Sequence, residues 1–307
     1  MSATTDRVLD ISEEGVRLSS HLDQLVIEPK DKPARTFPYA ELAVLVVSNP
    51  WVVYAHSVLQ NLAVHGGVLV ACDSKHLPAS MCLPLSGHSV PAERLRQQIA
   101  ATKPTQKRIW RQLIRAKIAA QAATLSKYRG SDHGLSALLA RLKTEEPEAV
   151  ESQAARIYWG NLFPVESFRR DPEAEVGPNV LLNYGYAIVR AAVARAACGS
   201  GLNLTLGVFH RNRYNAFCLA DDLMEPFRPL VDAVVFQLVA EQGAEAPLDK
   251  TAKARLIGIL FGRMELNGER RTMFEIFSRL SASLAQIYEG EGTDLTLPEE
   301  TAALAEA

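Results

Sequence analysis

The chain changes texture at Pro91, and that change limits its fold more than any other feature. Up to that point apolar residues come in short, β-rich pieces at 7–11, 15–18, 25–27 and 42–47, divided by polar turn residues that include Pro29 and Pro33. Runs of that length bounded by turn formers read as strands of a small sheet. A helix is predicted over 50–62, after which Gly66 and Gly67 turn the chain into a strand at 68–72. The stretch 78–91 holds Pro78, Pro84, Gly87 and Pro91 and reads as a linker. Beyond it lie long, alanine-rich, amphipathic stretches at 92–101, 103–128, 133–143, 147–162, 179–198, 222–241, 248–264 and 269–288, all expected to be helices. The fold class is therefore α+β: a small N-terminal β-rich domain over 1–77, a linker over 78–91 and a larger all-helical domain over 92–288. Residues 289–307 carry acids and no basic residue, which predicts an acidic, disordered tail.

At 307 residues and 48% hydrophobic content, the chain can bury a core in each of two unequal domains. Cys72, Cys82, Cys198 and Cys218 form no CxxC pair and lie in or beside apolar runs, so they are expected to be reduced core thiols of a cytoplasmic protein, not zinc ligands. The N-terminus lacks an apolar signal region, and no run approaches the roughly 18 apolar residues of a membrane span, so no membrane partner is expected.

A formal charge of −2 excludes a generally polybasic nucleic-acid binder. Local charge is another matter. Arg94, Arg96, Lys103, Lys107, Arg108, Arg111, Arg115, Lys117, Lys127 and Arg129 follow one another with no Asp or Glu between them. At 100° per residue, Lys103, Lys107, Arg108, Arg111 and Arg115 fall within an arc of roughly 140°, while Ile109, Trp110 and Leu113 lie outside it. A solvated helix face usually mixes signs and gains i,i+4 pairs; an all-cationic face is better explained by a polyanion such as duplex DNA, held through its phosphates without reading its sequence.

Residues 207–232 pack His210, Asp221, Asp222 and Glu225 between apolar neighbours and, read with the distant Glu151, suggest a divalent-metal site acting on phosphates. His210 follows the β-like 204–209 and is placed at the end of an element, where a satisfied structural histidine is an equal reading. Asp222 and Glu225 are three apart, so on one helix both could reach one cation; the same spacing is also a capping box, and Pro226 suits a first helical turn. Asp221 would leave about 100° from Asp222 and serve at most behind the ligands. Glu151 sits a turn into the helix opened by Pro147, with Ala154 and Ala155 leaving room beside it; taken alone, such an acid is more often on the surface.

Glu151 with Ala154, Ala155, Arg156, Tyr158 and Trp159, the stretches 183–188, 201–203 and 210–215, and the run 220–229 together resemble the CRISPR-associated adaptation integrase and endonuclease family Cas1, in particular its type II representatives. The resemblance spans most of the chain. It implies a β-rich N-terminal dimerisation domain, a helical catalytic domain, and Mg²⁺ or Mn²⁺ held by Glu151, His210 and Glu225, with Asp221 and Asp222 as possible supports behind them. Some relatives carry Asp where this chain has Glu225. The implied activity is divalent-metal-dependent endonuclease and strand-transfer chemistry, in which the 3′-hydroxyl of a short DNA fragment attacks a phosphodiester at a CRISPR repeat and inserts a new spacer. Lys103, Lys107, Arg108, Arg111, Arg115, Arg211 and Arg213 would hold double-stranded DNA with 3′ ends and the repeat DNA. The implied assembly is a homodimer, two of which bracket a dimer of the small partner Cas2 in a heterohexamer. Two other classes fit parts of the pattern: a non-catalytic DNA-binding scaffold and a metallohydrolase of small phosphate esters.

Overall fold

The structure is a computed structural model that describes residues 6–74, 77–84, 88–142, 146–164, 168–172, 174 and 176–299. Its strands are β1 (Arg7–Ile11), β2 (Arg17–His21), β3 (Gln24–Glu28), β4 (Arg35–Pro38), β5 (Leu42–Val47), β6 (Val53–Tyr54), β7 (Val68–Cys72), β8 (Pro78–Cys82), β9 (Arg263–Leu266) and β10 (Glu269–Thr272). The first eight form two four-stranded sheets where the sequence suggested one, ordered β1-β5-β7-β8 and β4-β3-β2-β6. In the first, β1, β5 and β7 are parallel and β8 is antiparallel.

Strand β5, Leu-Ala-Val-Leu-Val-Val, is buried at every position, as suits a strand covered on both faces. Ala43, Val44 and Val46 join the main core, whereas Leu42, Leu45 and Val47 join a smaller one with Leu18, Leu25, Ile27, Val58 and Leu62. One sheet therefore serves two cores. Residues 78–82, expected within a linker, form its antiparallel edge strand and tie the two regions together. The helix expected over 50–62 is α1 (His56–Val64), displaced because Val53 and Tyr54 pair with Arg17 and Leu18.

The remaining helices are α2 (Pro91–Ala100), α3 (Lys103–Arg129), α4 (Leu135–Arg141), α5 (Pro147–Leu162), α6 (Pro178–Gly199), α7 (Cys218–Leu223), α8 (Arg228–Gln242), α9 (Lys250–Gly258) and α10 (Met273–Glu289). Helix α3 starts at a Thr102 cap that accepts from the Thr105 amide and stops at Gly130, whose φ of 75° is left-handed. It buries Ile109, Trp110, Leu113, Ile114 and Ile118, each contributing about 1.5–3 kcal/mol when fully removed from water. Helix α6 is buried along most of its length and crosses α8 so closely that a Cβ on Gly185 would meet Val231 Cγ1 at 2.5 Å.

The α+β class holds, but the C-terminal domain is not all helix. Strands β9 and β10 form a hairpin around Asn267 and Gly268, with φ of 53° and 73°, the left-handed pair that a two-residue turn demands. The acidic tail is held in place over its described part. Gln112 donates to the Thr293 carbonyl at 3.0 Å and accepts from the Leu295 amide at 2.8 Å, the Thr296 amide donates to Ser283, and Leu295 is buried. Residues 300–307 lie outside the described residues. Among the cysteines only Cys218 is fully buried; Cys82 is exposed, contrary to its expected place in the core.

Candidate active site

Three separate stretches of chain converge beside α3. Glu151 stands one turn into α5, where the fully buried Ala154 lets the helix lie close to its neighbours. Glu225 opens a 3-10 turn, Glu225–Phe227, between α7 and α8; Pro226 has no N–H to continue the α7 ladder, and the helix breaks there. Lys117 reaches both glutamates from α3. Its Nζ lies 2.7 Å from Glu151 Oε1 and 2.6 Å from Glu225 Oε2, and Arg228 Nε donates to Glu225 Oε1 at 2.8 Å.

This cluster is largely removed from water, with side-chain exposures of 5% for Glu225 and 12% for Lys117. Burial pushes the Glu225 carboxyl up, but the charges of Arg228 and Lys117 prevail and hold it down at about 2. Burial likewise opposes the Lys117 ammonium, yet Glu225 and Glu151 raise its pKa. The side chains are therefore charged and mutually neutralised.

His210 belongs to a second, more open unit. The segment 204–209, expected to be β-like, is irregular. Asp222 organises it, accepting from the Phe209 amide at 2.9 Å, from the His210 amide at 3.3 Å and from His210 Nδ1 at 2.5 Å. That bond raises the His210 pKa against the opposing effect of burial, with further help from the charges of Asp222 and Glu225. It also leaves Nε2 as the atom available to a substrate or ion. Trp110 stacks on Phe209 at 4.4 Å and meets the His210 ring edge-on at 5.8 Å. A Cβ on Gly207 would approach the His210 carbonyl to 2.4 Å and Asp222 Oδ2 to 2.8 Å, so only glycine fits.

Asp222 does not cap a helix; it orients His210, whereas Glu225 binds Lys117 and Arg228. Asp221 points elsewhere, to Arg190 Nε at 2.7 Å and Asn215 Nδ2 at 2.7 Å. His210 lines an open cleft of about 540 Å³ with Gln106, Arg211, Asn212, Arg213 and Tyr214, whereas Lys117 and Glu225 line a smaller cavity of about 160 Å³.

The donor chemistry suits a hard divalent ion: two carboxylates already turned toward one cation, and an imidazole with one nitrogen pinned and the other spare. Glu225 Oε2 is buried with only the ammonium beside it and no hydrogen bond of regular geometry. A closed shell is not preformed. Among the described residues no three His, Cys, Asp or Glu side chains are grouped tightly enough to hold a metal. The position between the two carboxylates belongs to Lys117.

Lys117 is the residue that motif reading misses. Its signal is in the sequence nonetheless: at 100° per residue it falls between Trp110 and Leu113 on the packed side of α3, where a cation requires a buried anion. The expected cationic face is on the outside. Lys103, Lys107, Arg108 and Arg115 are exposed and Arg111 is half-buried. Lys107 has a counter-charge that the helix sequence hides, Glu146 at 2.6 Å from the start of α5. Arg211 Nη2 donates to Gln106 on α3 at 2.9 Å, which joins the His210 loop to that face, and Arg213 lies over the ring of the exposed Tyr214.

Residues 9–254 match the family model for CRISPR associated protein Cas1. The chain is 32% identical to the CRISPR-associated endonuclease Cas1 of Neisseria meningitidis serogroup C (strain 8013), over 94% of each chain. Its fold is similar to that of a casposase bound to integration product, with a TM-score of 0.81 at 19% identity, over 98% of this chain and 96% of the other. It is also similar to a chain of a Cas6-RT-Cas1–Cas2 complex, with a TM-score of 0.76 at 16% identity, covering 97% of this chain and 36% of that one.

Proposed function

This chain belongs to the Cas1 family of CRISPR-associated proteins, and on that premise we propose that it is a divalent-metal-dependent DNA integrase and endonuclease that inserts short fragments into a CRISPR array. The observation that carries the reading is the meeting of Glu151 and Glu225, from distant parts of the chain, around a single cation beside an Asp222-oriented His210.

Glu151, Glu225 and His210 Nε2 would hold Mg²⁺ or Mn²⁺, which supplies charge neutralisation at the phosphate and favours the alkoxide of an attacking 3′-hydroxyl. Asp222 keeps the proton of His210 on Nδ1 and fixes the direction of the ring. Arg228 holds Glu225 ionised. The exposed cations of α3, with Arg211 and Arg213, bind the phosphate backbones of the fragment and of the repeat, so binding weakens steeply with salt. Water in place of the DNA hydroxyl gives nuclease activity.

The integration product named for the casposase and the Cas2 named in the complex support strand transfer and assembly with Cas2 as this chain's own chemistry and partner. Homodimerisation has a candidate surface on the N-terminal sheets, where Trp51 and Val53 are 73% and 63% exposed at a short edge strand. No described helix is long and apolar enough to cross a membrane.

A non-catalytic DNA scaffold is the second reading, favoured by the lack of a preformed three-donor group among the described residues. Strand transfer on a branched DNA substrate decides between them. Glu151→Ala, His210→Ala and Glu225→Ala should each abolish it; retention by all three would overturn the catalytic assignment, and DNA binding without strand transfer in the wild type would establish the scaffold.

A further inference from the structure

Lys117 does not belong with the DNA-binding cations of its helix. It is turned inward, and its ammonium bridges the two carboxylates that the proposed activity assigns to a divalent ion. An ammonium at contact distance from both oxygens and a divalent ion held by the same oxygens exclude each other, by volume and by charge.

The protein provides somewhere for the ammonium to go. A cavity of about 160 Å³ adjoins Lys117, with Gln121, Ala155, Glu225 and Asp232 in its wall, several times the space that a water occupies. Gln121 stands one helical turn beyond Lys117, is 3% exposed, and its Oε1 is buried without a hydrogen-bond partner. Unsatisfied buried acceptors are uncommon and costly, so an orphan beside a flexible lysine calls for a donor. Asp232 adds a carboxylate to that wall, held by the hydroxyls of Tyr158 and Tyr186. The guanidiniums lining the cavity are already directed elsewhere, Arg228 to Glu225 and Arg170 to the amide oxygens of Asn179 and Asn183.

We propose that Lys117 is a two-position resident cation: it holds Glu151 and Glu225 together in the metal-free protein and, when a divalent ion binds, withdraws its ammonium toward Gln121 Oε1 and Asp232. This rests on the metal site proposed above. The device keeps the buried Glu225 and the half-buried Glu151 neutralised at all times. It also sets metal affinity, because every binding event must displace a charge.

The test is a Mn²⁺ titration followed by electron paramagnetic resonance on the full-length protein without DNA, with a thermal melt at each end. Wild type should bind, and Glu151→Gln should remove that binding. Lys117→Met should melt lower without metal, recover on adding Mn²⁺, and bind Mn²⁺ about tenfold more tightly. Gln121→Met fills the second position and leaves both glutamates untouched, so it should weaken Mn²⁺ binding severalfold. A lysine acting only as a fixed counter-charge would not respond to Gln121→Met. Should Lys117→Met fail to fold, Gln121→Met carries the test alone. Unchanged Mn²⁺ affinity in Gln121→Met, or unchanged or weaker affinity in a folded Lys117→Met, overturns the inference and leaves the metal site standing. Absence of Mn²⁺ binding in wild type overturns both.

Discussion

Helix α3 uses the same residue type in two ways, and the contrast shows what burial does to a charge. On its outer face Lys107 meets Glu146 at 2.6 Å with both side chains well exposed, at 45% and 62%. On its inner face Lys117 meets Glu151 and Glu225 at nearly the same distances with little water around them. Exposed pairs are screened and contribute about 0–1 kcal/mol, whereas removing one member of a buried set strands its partners in a medium that cannot solvate them. Geometry is nearly equal in the two places; the dielectric surroundings are not.

The sharpest way to break this comparison is to remove each lysine in turn. Lys117→Ala should lower unfolding free energy in urea by about 3–5 kcal/mol, and Lys107→Ala by less than about 1. Equal losses would mean that the inner cluster is as well hydrated as the outer pair.

Acid is a second probe of the inner cluster. The Glu225 carboxyl is depressed from 4.5 to about 2, so its contribution is fully present above the unfolded value and disappears as pH falls through the folded one. About 3 kcal/mol should be lost between roughly pH 4.5 and pH 2, and Glu225→Gln should flatten that part of the profile.

The outer face answers to salt instead. Replacing Lys103, Arg108 and Arg115 by Ala should reduce the slope of log binding constant against log salt by about 0.9 for each DNA phosphate left without its cation, with no change in melting temperature beyond a degree or two. A variant that melts early would place these residues in the structural set with Lys117.

The smallest effect concerns His210, between the two regimes. Its pKa is raised from 6.5, so the stability it brings is complete below that value and is lost as pH rises through the folded pKa. Asp222→Asn should bring the titration of the His210 ring, followed by NMR, back down and erase that dependence. A ring that titrates as before would show that Asp222 only positions the backbone.

Much of this architecture is legible in the order of residues alone. The expected helix at 147–162 is α5 to the residue, because Pro147 marks its start and the turn formers Gly160 and Asn161 fall only in its last turn. The turn at Asn267 and Gly268 falls in the gap between the helices expected over 248–264 and 269–288, but its flanking strands overlap their adjoining ends, since four-residue strands are too short to break a helical pattern. The first five residues of the expected linker become a strand for a related reason: Pro78 is compatible with an edge strand, which has no partner on one side. The candidate site divides in the same manner. Glu151, His210 and Glu225 stand out as motif residues, but the lysine that joins the two glutamates comes from elsewhere.

Periodicity, turn chemistry and charge pattern along the chain settle which segments become helix or strand and which face of α3 meets solvent, because those are local properties of neighbouring residues. They also carry the family resemblance. The cation shared by Glu151 and Glu225 comes from a side chain that lies far from both in sequence and meets them only when α3, α5 and the Glu225 turn pack together. Packing also fixes the local dielectric, and with it whether a lysine is a loose surface charge or part of the site's own machinery.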